Sequence, residues 1–120
     1  MTTVTAQAEF DVAFVPGRAD QGLALQVAPA GVSCTIRVVG ELDLATRNRL
    51  FLACTAGNHL FTTVDMSRLT FMDCSGYAGI VAARHVVEAD GRTLAVRGLI
   101  GQPQHLMDLI ARSERQPQQA

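Results

Sequence analysis

The sequence predicts an α/β fold, a small mixed β-sheet of four to five strands with helices packed on it. Three observations lead there. "VSCTIRVV" places Val32, Cys34, Ile36 and Val38 at every second position, the period of a strand with one buried face. "SGYAGIVAARHVVEADG" carries its apolar residues at helical spacing and ends at a glycine, Gly91. Around them the patterns follow the order β-β-α-β-α-β-α, and a chain of 120 residues holds one such core but not two.

Taken in order, residues 1–21 form an N-terminal extension. Its "EFDVAF" run alternates Phe10, Val12 and Phe14 as one short strand would, and "PGRADQG" reads as a turn or linker. The domain proper spans residues 22–112. "LALQV" and "VSCTIRVV", joined through "APAG", predict an antiparallel hairpin. "GELD" ends the second strand, with Asp43 as N-cap of a helix beginning near Leu44. Leu50, Ala53 and Cys54 form that helix's apolar stripe, and Gly57-Asn58 stops it. "LFTTVDM" is a strand parallel to its predecessor through a right-handed crossover, followed by a loop. After the central helix, "TLAVRG" is a further short strand. Pro103 sits in the first turn of a last helix with Leu106, Leu109 and Ile110 at helical spacing. Residues 113–120, "SERQPQQA", are too polar to bury themselves and read as a mobile tail.

Composition narrows the function classes. With 48% apolar residues the chain is globular, and a net charge of -1 without a basic tract argues against direct nucleic-acid binding. Tryptophan is absent and there is one tyrosine, so bases have little to stack on. No apolar run approaches the roughly 20 residues of a membrane helix. The start "MTTVTAQAEFDV" lacks the basic and apolar parts of a secretion signal, so no membrane role and a cytoplasmic location are expected. Cys34, Cys54 and Cys74 are odd in number and widely spaced, which fits reduced, mostly buried thiols better than disulfides or zinc. No cofactor or metal motif is present.

The stretch "TFMDCSGYAG" interrupts an apolar run with a carboxylate, a thiol and a hydroxyl at Asp73, Cys74 and Ser75. Asp73 is placed to cap the central helix, accepting from the amide of Ser75 or Gly76. Ser75 would then project from the second helical position, where free backbone N–H groups favour an anion. Gly76 and Gly79 each cost a helix about 1 kcal/mol relative to alanine. Close approach by another backbone or by a partner would explain them. Along the helix, Ala78, Ala82 and Val86 share one stripe and Ile80, Ala83 and Val87 another. One stripe serves the sheet; the second is either a docking surface or the seat of a neighbouring helix. A catalytic Cys74 or Ser75 would need a base, and none of His59, His85 and His105 is spaced to supply one. Cys74 is read as a small filler.

"VVGELDLAT", "VDMSRLTFMDCSGYAGIV" and "LAVRGLIGQPQHLMDL" together resemble the STAS domain family, within it the bacterial anti-sigma factor antagonists, over about Leu23 to Ala111. The resemblance implies a regulatory protein and not an enzyme. It would bind an anti-sigma factor that is also a serine kinase of GHKL type, and so free a sigma factor. The kinase would phosphorylate Ser75, and a PP2C-type phosphatase would reverse it. Asp73 matches the acidic position before the phosphosite; Glu41 and Asp43 match an acidic loop nearby. Cys74, Gly76, Tyr77 and Gly79 complete the implied partner surface. The chain departs from the pattern in having Cys74 where serine is common, and in stopping after "QHLMDLIARSE", without the last strand and helix usual in the family. The "EFDVAF" run would be the replacement strand. The alternative is a STAS scaffold subunit of a lipid-transport or other regulatory complex, with Ser75 never modified.

Overall fold

A computed structural model describes residues 22–115; the "EFDVAF" run and the last five residues lie outside the described residues. The elements are β1 (Leu23–Ala30), β2 (Ser33–Leu42), α1 (Arg47–Thr55), β3 (Phe61–Met72), α2 (Cys74–Ala89), β4 (Thr93–Arg97) and α3 (Gly101–Arg115). The four strands lie in the order β1-β2-β3-β4, the first pair antiparallel and the other two parallel. This is the α/β sheet with helices that the pattern of apolar periods predicts. The last helix runs on through Ser113 to Arg115, into the stretch read as tail.

Parity along the strands explains the core. Leu23 and Leu25 of β1, Cys34, Ile36, Val38 and Leu42 of β2, and Leu94 of β4 point to one face and are buried there. Leu50 and Cys54 of α1 and Ile80, Ala83 and Val87 of α2 cover that face. Burial and the neighbouring Cys34 push the Cys54 thiol up to about 12, so it stays protonated in the core. Val32, expected on the buried face of β2, is instead 56% exposed. It forms the hairpin turn with Gly31, since Ala30 already pairs with Ser33 and β1 continues through the "APA" read as turn.

β3 is longer than its sequence suggests. The expected loop after "LFTTVDM" is strand as far as Met72. Its pairing with β2 slips between Arg37 and Val39 and again between Gly40 and Glu41, each time taking one extra β3 residue. On the core face the buried positions therefore run Thr62, Val64, Met66, Leu69 and Met72, while Asp65 is buried on the other face. Spacing of two gives way to three, which hides the strand from an alternation reading. The two bulges keep apolar side chains inward while carrying β3 to the position where α2 begins.

The opposite face joins Arg37, Asp65 and Arg97, which the register sets side by side on three adjacent strands. Asp65 lies 4.0 Å from Arg37 and 3.7 Å from Arg97. Its carboxyl is held below the usual range first by the backbone N–H of Ser67 at 3.0 Å, then by the Ser67 hydroxyl, with the two arginines adding to this against the cost of burial. A carboxylate whose pKa is lower folded than unfolded stabilises above the ordinary aspartate value of about 3.9, and that contribution is lost as pH falls through and below it. Denaturant titrations should find Asp65→Asn less stable than the parent at pH 7. The gap should narrow as the pH is lowered toward 3; a gap independent of pH would contradict this assignment.

Candidate functional site

Two chain segments meet at one end of the sheet: the exit of β2 with its turn into α1, and the step from β3 into α2. In the first, Asp43 does not start a helix at Leu44; α1 begins at Arg47. Asp43 Oδ1 accepts from the amides of Ala45 at 3.0 Å and Thr46 at 3.2 Å, while the Asp43 amide donates to Thr46 Oγ1 at 3.0 Å. The buried Thr46 hydroxyl also donates to the Glu41 carbonyl at 2.9 Å. These bonds satisfy a tight turn ahead of the helix, so the Asp43 carboxylate is spent locally. Glu41 is exposed and leans toward Gly22 at the start of β1.

In the second segment Asp73 is the N-cap of α2, with extended backbone angles and Oδ1 accepting from the Gly76 amide at 2.8 Å. Cys74 and Ser75 follow as the first two helical residues, and the Tyr77 amide closes the first turn on the Asp73 carbonyl. Cys74 is exposed, which corrects its reading as filler. Ser75 is half-buried, and Tyr77 packs against the core. The far end of α2 closes with the amides of Gly91 and Arg92 on the carbonyls of Glu88 and Val87.

What joins the segments is backbone on backbone. The Asp73 amide donates to the Leu42 carbonyl at 3.3 Å, and a Cβ at Gly76 would overlap that same carbonyl oxygen. Gly79 answers to a side chain: a Cβ there would lie 2.9 Å from Arg47 Cβ. Both glycines are thus explained within the chain. On the β4 side, the Gln102 side chain takes the place of a strand. Its Oε1 accepts from the Met72 amide and its Nε2 donates to the Met72 carbonyl, both at 2.8 Å. Neither Gln102 nor Arg47 was singled out by sequence reasoning. Arg47 and Phe51 are four apart on one face of α1, a signal that was present but overshadowed by the Leu50, Ala53 and Cys54 stripe.

Beside Ser75, Arg47, Asn48 and Phe51 of α1 and Ala78, Gly79 and Ala82 of α2 line an open groove. Of the two α2 stripes, Ile80, Ala83 and Val87 are buried, whereas Ala78, Ala82 and Val86 stay exposed even with α1 as a neighbour. Leu44 and Leu52 on the α1 side are 64% and 62% exposed, so apolar surface continues past the groove. Among the described residues no His, Cys, Asp and Glu cluster could hold a metal, and no helix is long and apolar enough to cross a membrane.

This fold and site define a small α/β domain whose accessible helix start is tied to the sheet. The family model described as the Mlab STAS domain matches residues 25–114, and the chain belongs to the STAS domain family. Among solved structures it is similar to an antisigma-factor antagonist STAS domain from Rhodobacter sphaeroides, at 22% identity and TM-score 0.52, over 64% of this chain and 85% of that one. It is also similar to an anti-sigma factor antagonist from Mycobacterium paratuberculosis, at 16% identity and TM-score 0.67, over 85% and 86%. A third is the Bacillus cell fate determinant SpoIIAA in its phosphorylated form, at 23% identity and TM-score 0.51, over 75% and 84%. A comparison with curated protein sequences finds no match.

Two substitutions test this architecture by denaturant unfolding. Gly76→Ala should destabilise by about 2 kcal/mol through overpacking on Leu42, although alanine is the better helix former by about 1 kcal/mol. Gln102→Ala should cost about 1–2 kcal/mol by leaving the Met72 amide and carbonyl unpaired. A Gly76→Ala protein more stable than the parent would contradict the contact.

Proposed function

We propose that this protein is an anti-sigma factor antagonist of the cytoplasm, a binding module whose surface around Ser75 docks an anti-sigma factor of GHKL serine-kinase type and thereby frees a sigma factor. Phosphorylation of Ser75 switches the docking off. In that step the γ-phosphoryl group of ATP passes to Ser75 Oγ, the hydroxyl proton leaves with the kinase's base, and ADP departs. A PP2C-type phosphatase adds water across the phosphoester and restores the serine. Asp73 and the exposed Cys74 flank the serine, with Gly79 in the groove wall and Glu41 and Asp43 at the margin; Gly76, buried against Leu42, and Tyr77, packed on the core, support this surface from beneath.

The observation that carries this reading is the placement of Ser75. It occupies the second position of a helix that Asp73 already caps, one turn ahead of Ala78 and Gly79, which line the groove. Its hydroxyl is therefore not needed for the cap. The phosphorylated form of one structural neighbour supports the same reading. The phosphate would bring about -1.5 to -2 charges to that helix start. Desolvating them against a partner at a penalty of about 3–4 kcal/mol would weaken binding several-hundred-fold, since about 1.4 kcal/mol is a factor of ten. The fold need not change.

A second reading keeps the groove and drops the modification: a STAS scaffold subunit of a lipid-transport or other regulatory complex. The exposed Ala78 and Ala82, lined up with the half-buried Phe51, favour it, because such a surface docks a partner whether or not Ser75 is modified. The two readings separate on variants of Ser75 in pull-downs from the native host, followed by titration of the captured partner. Ser75→Ala should bind as the parent does, and Ser75→Asp should bind at least tenfold more weakly. Equal affinity of the two would favour the scaffold, as would quantitative recovery of unmodified Ser75 after incubation with the captured kinase and ATP.

A further inference from the structure

The path of Arg47 carries an inference that rests on Ser75 being a phosphoacceptor and names how the phosphate is held. Arg47 is the first residue of α1, yet its side chain lies across α2. With a Cβ built at Gly79, the Arg47 Cβ, Cγ and Cδ would stand 2.9, 3.5 and 3.6 Å from it. The aliphatic stem thus occupies a track that the missing side chain of Gly79 leaves open. At the end of that track Nη1 donates to the Ser75 carbonyl at 3.4 Å.

That bond is weak for a guanidinium. N–H donors to oxygen cluster at about 2.9–3.0 Å, and a guanidinium has five N–H groups to place. Among the described residues no carboxylate pairs with Arg47, whereas Arg37, Arg92 and Arg97 each have one. The arginine is therefore parked at the backbone of the residue whose side chain would gain the phosphate, with most of its donors unspent.

We propose that Arg47 is the phosphate-binding residue of the modified protein: once Ser75 Oγ carries a phosphoryl group, the guanidinium exchanges the Ser75 carbonyl for the phosphate oxygens. Charge-assisted bonds to phosphate are roughly twice as strong as neutral ones, and the guanidinium fork matches two phosphate oxygens at once. The exchange offsets repulsion from Asp73, whose carboxylate lies in the same turn. Because Arg47 is also a wall of the groove, drawing its head onto the phosphate alters the groove's charge and its shape together. Modification then acts on the partner twice.

The test uses the full chain with phosphoserine encoded at position 75, and it needs no partner. Phosphorus NMR follows the second ionisation of the phosphate, ordinarily near pH 6. Arg47→Ala should raise that pKa by about half a unit or more relative to the parent, because an opposite charge within reach favours the charged form. Arg47→Lys should recover part of the shift. Gly79→Ala, which pushes the stem aside without removing the charge, should move the pKa in the same direction as Arg47→Ala, and it serves if that variant does not fold. Arg84→Ala, removing a cation that instead donates to the Leu94 carbonyl, should leave it unchanged. Titrations of the parent, Arg47→Ala and Gly79→Ala that superimpose would overturn the assignment. The reading of Ser75 as a switch fails on a different result, an encoded phosphoserine that leaves partner affinity untouched.

Discussion

The first turn of α2 rests directly on the backbone at the end of β2, and the arrangement of the site depends on that contact. The Leu42 carbonyl receives the Asp73 amide and leaves no room for a side chain at Gly76. Glycine at a third helical position is a local cost, offset by letting two backbone segments touch. Because β2 is an internal strand, the contact ties the helix start to the middle of the sheet and not to its rim. Ser75 is then held at a fixed height above the sheet end, neither submerged nor on a loose loop.

The surroundings of that turn follow from the same constraint. The Asp43–Thr46 turn absorbs the polar groups between β2 and α1, which frees α1 to lie beside α2 and form one wall of the groove. The Gln102 amide fills the place that β4, pairing only as far as Asp65, leaves open beside Met72. α3 is thereby pinned next to the residue preceding the cap. The helix start is held from β2 on one side and from α3 on the other. Under the proposed function, a charge added at Ser75 would meet a frame fixed on both sides, so its effect would fall on the docking partner.

Much of this was legible in the amino-acid order. The seven elements and their sequence follow from apolar periods of two and 3.6, because those periods are set by which face is buried. The Asp73 cap was readable because capping needs a short side chain with an acceptor oxygen at one position. What escaped depends on register and long-range approach. The bulges in β3 turn its spacing from two to three, so "SRLTFM" read as loop. Asp43 carries the marks of an N-cap, yet its bonds to Ala45 and Thr46 serve a turn, because Thr46 is drawn inward by the Glu41 carbonyl. For Gly76 and Gly79 the pattern left backbone and partner open as explanations. Deciding between them required knowing that Leu42 and Arg47, far away in sequence, come to lie against α2.

The proposed switch requires that the helix start, held from β2 and α3, presents Ser75 for a local modification that leaves the fold unchanged. Backbone amide NMR shifts of the protein with phosphoserine encoded at position 75, set against the unmodified protein, test it most directly. The account predicts shift changes confined to the first turn of α2 and the facing residues of α1. Changes spreading through β1, the β1–β2 turn and β4 would contradict it, because they would mean that the modification repacks the sheet.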